Sequence, residues 1–192
     1  MNRIQWGVTL RGMNRWLPLL LCVASCIQPT RPDPGPSSVL QRLDDAAAVA
    51  QVLAPGAGPH WVHFWALWCT ACTAELPRQV EIARRLAAQG TRVTFINLDG
   101  YDKSPQVEEH LAHLGATAVA RQAQLNMALD VEQVTRLFSP GWGGALPATF
   151  LRHPDGSPAA EVMGELNPGE EQKMIEALSM QKPEEEAKPP PP

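Results

Sequence analysis

The chain of 192 residues is long enough for one ordinary domain with additions and short for two full-sized ones. Apolar residues make up 44% and charged residues 19%, which excludes general disorder, and a mean hydropathy of -0.18 excludes a polytopic membrane protein. The formal net charge is -4, with 16 basic and 20 acidic residues.

Residues 1–15 contain Arg3, Arg11 and Arg15 without an acid, and a short apolar run from Trp16 ends in small residues at Ser25. This is the pattern of a signal peptide over 1–25, too short and too interrupted by Pro18 for a permanent membrane span. Val23, Ala24, Ser25 and Cys26 resemble the lipobox of bacterial lipoproteins. That resemblance implies acylation of Cys26, which makes 26–38, with Pro29, Pro32, Pro34 and Pro36, a proline-rich tether to a membrane. Loss of the three signal arginines leaves a net charge of -7 from Cys26 onward. No basic cluster remains to neutralise a row of phosphates, so nucleic acid is not the expected partner. Residues 181–192, with Pro183, a run of three glutamates and Pro189 to Pro192, predict a disordered tail. The foldable part is 39–180.

Within it, 61–68 is aromatic and apolar without helical spacing and predicts a buried strand. From Ala71 to Ala88 the apolar residues Leu76, Val80, Ala83 and Leu86 recur at helical steps, and Gly90 is a stop signal. Cys69 therefore falls where strand becomes helix. There the unpaired amide N–H groups and the positive end of the helix dipole stabilise a thiolate, so Cys69 is the expected nucleophile. Cys72, three residues on, shares its helical face and is placed to resolve a mixed disulfide. With Cys22 in the signal and Cys26 lipidated, these are the domain's two cysteines, too few for a disulfide framework and suited to exchange. His60 and His63 just upstream complete a nominal set of four zinc ligands. Residues three apart on a strand face opposite ways, so the set does not converge and no metal is assigned.

Further elements follow in order. Residues 91–98 alternate as a strand, 104–114 form a helix closed by Gly115, and Asn167, Pro168 and Glu170 start a last helix with Met174, Ile175 and Leu178 on its buried side. This alternation predicts an α/β domain with its sheet covered on both faces.

The stretch 62–77, containing Trp68, Cys69, Cys72 and Pro77, resembles the active-site segment of the thioredoxin superfamily, nearest its exported TlpA/ResA-like branch. Residues 144–151 with Asp155 and Gly156 resemble that family's cis-proline strand and the following hairpin, while 116–145 match poorly. The resemblance implies a thioredoxin-like fold with a central mixed sheet, and a cis Pro147. It also implies a backbone edge at Leu146 that binds substrate peptides as an added strand, an aromatic cover from Trp68, and a helix-kinking Pro77. It implies dithiol–disulfide exchange without a cofactor, acting on disulfide-containing envelope proteins such as a cytochrome c maturation component. Reductive activity there needs a membrane thiol donor of the DsbD/CcdA kind. A monomer in the bacterial envelope is expected. An oxidant of the same fold and a metal-binding or interaction module are the alternatives.

The chain departs from the family where thioredoxins bury an acid six positions before the first cysteine; here that residue is His63. On the strand face shared with Trp61 and Trp65, His63 becomes a candidate for proton transfer with the cysteine pair, because imidazole titrates near neutral pH. Glu75 is a second candidate, although a helix carboxylate is ordinarily solvated. Thr70 is either a donor to the Cys69 thiolate or a helix cap. Trp142, on the glycine-rich loop 141–144, is a candidate substrate grip if exposed and a packing anchor if buried.

Overall fold

The computed structural model describes residues 40–179. The proposed signal peptide, Cys26 with its tether, and the acidic proline-rich tail lie outside the described residues.

Strand β1 (Gln41–Leu43) and helix α1 (Ala46–Val52) precede β2 (His60–Trp65), helix α2 (Thr70–Ala88) and β3 (Arg92–Asn97). Helix α3 (Ser104–His113), β4 (Arg121–Leu125) and α4 (Val131–Phe138) lead to the hairpin of β5 (Ala148–Arg152) and β6 (Pro158–Met163), and α5 (Pro168–Ser179) follows. One six-stranded mixed sheet results, in the order β1-β4-β3-β2-β5-β6. Strands β1 to β4 run parallel, and β5 pairs antiparallel with both β2 and β6.

All six residues of β2 are buried, which requires cover on both sheet faces. Strand alternation divides them. Trp61 hydrogen-bonds Gln79 of α2 and Trp65 stacks on His110 of α3, so both lie on the face covered by those helices. On the other face Phe64 packs against Phe138 of α4, Phe150 of β5 and Trp142. The expected architecture is thus present, with helices on both faces.

Helix α2 continues through Pro77, whose ring is exposed. Beyond it, Arg78 and Arg85 both hold Glu171 of α5, and Arg78 Nη1 donates to the Leu166 carbonyl oxygen at 2.9 Å. Burial opposes ionisation of Glu171, but the hydrogen bonds and positive charges of the two arginines outweigh it and hold the carboxyl below its ordinary range. A carboxyl so depressed adds stability above its unfolded pKa, and that stability is lost as pH falls through the folded value. Since both arginines are substantially solvent-exposed, we expect Glu171→Gln to cost about 1 kcal/mol at neutral pH and nothing near pH 2, as read from urea unfolding at the two pH values.

Candidate active site

The end of β2 delivers the chain into a short turn, Ala66 to Trp68, before α2 begins. Asp99, following β3, fastens that turn by accepting the Leu67 N–H at 2.7 Å, and Asn97 Nδ2 donates to the same carboxylate oxygen at 2.8 Å. Asp99 is itself 4% exposed. Its anchoring role was not visible in the sequence, because the amide it holds lies 32 residues away.

Cys69 is the N-cap residue of α2, and its sulfur takes the place of the usual capping oxygen by accepting the Cys72 N–H at 3.2 Å. Cys69 and Cys72 are joined by a disulfide with an S–S distance of 2.04 Å and a Cα–Cα distance of 5.2 Å. Cys69 lies at the edge of burial and Cys72 is fully buried, so the two residues differ in access. Thr70 is the first helical residue and does not cap; it contributes its carbonyl to the Thr73 hydroxyl. Trp68 is 65% exposed beside Cys69, which makes it a surface residue and not a core aromatic.

Pro147 follows a cis peptide bond from Leu146. Because Phe64 near the end of β2 pairs with Ala148 at the start of β5, this loop lies at the same end of the sheet as the disulfide. The Pro147 carbonyl accepts the Gly164 N–H at 2.8 Å, whereas among the described residues the Leu146 backbone has no hydrogen-bonded partner. An unpaired backbone unit in the loop at this end of the sheet has the donor and acceptor required to pair with an extended peptide.

Trp142 corrects one expectation. It is 3% exposed and forms the packing anchor, not a substrate grip: its ring sits 4.5 Å from that of Phe64 and 5.0 Å from that of Phe150, and Nε1 donates to the Ala145 carbonyl at 2.8 Å. Gly144 permits the inward turn. Its φ is +85°, and a Cβ there would meet Val131 Cγ1 at 3.2 Å.

His63 corrects a second. It is fully buried, Nδ1 lies 3.0 Å from the Thr149 hydroxyl, and Nε2 has no hydrogen-bond partner. Burial lowers its pKa to about 3, so the ring is neutral where thiol exchange occurs and does not titrate near neutral pH as expected. The group the sequence undervalued is Glu75. It is 8% exposed, not solvated, and its Oε1 accepts from Gln79 Nε2 at 2.6 Å and from the Leu166 N–H at 3.1 Å, while Oε2 is buried without a partner. Burial raises its pKa against the opposing pull of those hydrogen bonds. Gln79 links this carboxyl to Trp61 and, at 3.5 Å, to Thr149, so a buried polar strip runs beneath α2 from His63 to Glu75.

His60 lies on the opposite face from His63 and bonds Thr94. Among the described residues no group of three or more His, Cys, Asp or Glu side chains is placed to hold a metal ion.

No family model matches the chain. It is 21% identical over 105 residues to the thiol-disulfide oxidoreductase ResA of a Bacillus cereus strain, and equally to ResA of Bacillus anthracis, an alignment covering 55% of this chain and 54% of each relative. The chain thus spans about half the length of the curated relatives it matches. Among solved structures, a candidate thioredoxin from Neisseria meningitidis, determined in solution, superposes with a TM-score of 0.51 at 16% identity, covering 69% of this chain and 81% of that one. A thioredoxin-related protein from Neisseria meningitidis serogroup B gives a TM-score of 0.50 at 20% identity, covering 67% and 87%. The fold is thioredoxin-like, and the resemblance to the ResA-like branch extends beyond the cysteine motif.

The two buried histidines make acid stability a test of this site. His60 and His63 both have pKa values lowered to about 3, so between about pH 6.5 and 3 the unfolded chain binds protons that the folded chain does not. Stability contributed by each is fully present above its unfolded pKa and falls by about 1.4 kcal/mol per pH unit below it. Replacement His63→Gln is expected to remove about half of the slope due to the pair in urea unfolding measured from pH 6 to 4; an unchanged slope would show that His63 is protonated in the native protein.

Proposed function

We propose that this protein is an exported thiol-disulfide oxidoreductase, tethered through Cys26, that reduces disulfides of envelope proteins by dithiol–disulfide exchange. The observation that carries this reading is the Cys69–Cys72 disulfide at the strand-to-helix junction, with the more accessible cysteine capping the helix. In the reduced protein the same helix end favours a thiolate at Cys69.

The Cys69 thiolate attacks one sulfur of a substrate disulfide, forming a mixed disulfide and releasing the other sulfur as a thiolate, which takes up a proton. Cys72 then loses its proton and attacks Cys69 Sγ. The Cys69–Cys72 disulfide forms and the second substrate thiol leaves, so the substrate gains the two electrons that the protein loses. Recognition through the Leu146 backbone and the exposed Trp68 makes the substrate class broad: extended peptide segments carrying a disulfide, paired cysteines of a cytochrome c maturation component among them. Steady turnover in an oxidising compartment requires a membrane dithiol donor to reduce the protein again.

The buried Cys72 needs a nearby proton acceptor. His63, with a pKa of about 3, is too weak a base. Glu75 stands one turn further along the helix with an unpartnered oxygen and a raised pKa, which suits it to accept that proton.

The oxidised protein should catalyse dithiothreitol-driven insulin reduction, Cys69→Ala should abolish it, and Cys72→Ala should accumulate a mixed disulfide with substrate through Cys69. The reading fails if the purified protein neither reduces insulin nor forms that adduct. Equilibration with glutathione decides direction, a potential near about -270 mV marking a reductant and one near about -120 mV an oxidant.

For Glu75→Gln, release of substrate from the mixed disulfide is expected to slow about 10²-fold and to lose the pH dependence due to this carboxyl, with the first attack by Cys69 unchanged. Single-turnover measurements of the two steps across pH 5 to 9 check this.

A further inference from the structure

At the end of the sheet remote from the disulfide, β2, β3 and β4 begin at His60, Arg92 and Arg121, and the antiparallel β5 ends at Arg152. In register, His60 stands between Arg92 and Arg152, and Arg121 pairs with Thr94, two residues along from Arg92. Strand alternation therefore sends three guanidinium groups, His60 and Thr94 to one face. Arg152 spends both terminal nitrogens there on the carbonyls of Leu137, Phe138 and Gly156, leaving only its Nε without a partner. Arg92 and Arg121 are less fully engaged. They line a cavity of about 160 Å³ with Gln41, Gln51, His60 and Thr94, and no carboxylate lines it.

The donors in this cavity are incompletely used. Arg92 Nη2 reaches the Ala54 carbonyl at 3.0 Å, but its Nε is buried without a partner. Neither Arg92 nor Arg121 forms an ion pair among the described residues. His60 is 2% exposed; its Nε2 lies 2.8 Å from the Thr94 hydroxyl and its Nδ1 has no partner. Burial, reinforced by Arg92, Arg121 and Arg152, lowers the His60 pKa to about 3 and keeps the ring neutral. In the tautomer with its hydrogen on Nδ1, Nε2 accepts from the Thr94 hydroxyl and the Nδ1–H is the donor left without a partner. Leaving two like charges and a buried donor side by side unmatched is costly, and one anion relieves all three.

We propose that this cavity binds a tetrahedral oxyanion, phosphate or the phosphoryl group of a small phosphomonoester, held by Arg92, Arg121 and the Nδ1–H of His60. The donors arise from three adjacent strands, and the side-chain amides of Gln41 and Gln51 at the wall add further N–H groups. So many donors on separate side chains suit the three or four oxygens of a phosphoryl group or phosphate better than the two of a carboxylate. The six residues of β2 separate this site from the turn carrying Cys69 by roughly 20 Å, so an ion here stabilises the sheet without touching the sulfur chemistry.

The test is titration of the oxidised full-length protein with inorganic phosphate, and separately with glycerol phosphate, at constant ionic strength set by chloride. Thermal midpoint and the imidazole NMR signals of His60 are followed together. A saturable rise in midpoint with a shift of the His60 signals is expected, and Arg121→Gln, at an exposed position, should weaken phosphate binding at least tenfold. Arg136→Gln, whose guanidinium pairs with Glu132 on α4, should leave it unchanged. Equal response to both probes identifies a phosphomonoester site; response to phosphate alone identifies a free-ion site. No saturable response beyond that of chloride, or equal binding by wild type and Arg121→Gln, overturns the proposal.

Discussion

A sulfur atom ends helix α2 where an oxygen ordinarily would, and the active end of the fold is organised around that substitution. The Cys69 sulfur must sit at the first turn to accept the Cys72 N–H, which fixes both its approach to the helix dipole and its distance from the second sulfur. What permits this is the burial of β2 on both faces. A strand packed on two sides cannot slide without moving every side chain to a new environment, so the point where it releases the chain is invariant. The Asp99 carboxylate then pins the intervening turn from the next strand, leaving Trp68 outward and Cys69 at the rim.

Beneath α2 the protein tolerates an unusual concentration of buried polar groups. Trp61, His63, Glu75, Gln79 and Thr149 satisfy one another in sequence, with the Leu166 backbone closing one end. Two atoms are left over, His63 Nε2 and Glu75 Oε2. Burial acts on these two residues in opposite senses. It lowers the His63 pKa to about 3 and raises that of the Glu75 carboxyl above its ordinary value, so the carboxyl is the stronger base of the two. Gln79 is indispensable to the arrangement, since its amide can donate to the carboxyl while accepting from the Trp61 indole.

The strand and helix flanking the cysteines were legible because their hydrophobic periods are unmixed: six consecutive buried residues, then apolar steps of three and four. Elsewhere local pattern carried less. Strand β4 reads as polar, yet Gln122 and Gln124 are buried, each spending its amide on loop carbonyls that no short-range signal reveals. Strand β1 is three residues long and α1 is mostly alanine, too little periodicity to declare either. The same limit governed the site. Cys69 and Cys72 announce themselves by spacing, but whether Glu75 is solvated depends on Leu166, 91 residues away, and whether Trp142 faces outward depends on Phe64, Phe138 and Phe150 on three separate elements.

His60 and His63 show how one strand can serve two chemistries. Both are buried and both are held neutral at about the same pKa, but for His63 burial is the whole cause, while for His60 three arginines add to it. The difference follows from the three-residue separation, which turns one ring toward α2 and the other toward the opposite face of the sheet. On the first face His63 and Glu75 belong to one strip of buried polar groups beneath the helix that carries Cys72. On the second, fixed positive charge accumulates without an acid at the cavity wall, an arrangement of no use to thiol exchange and suited to holding an anion.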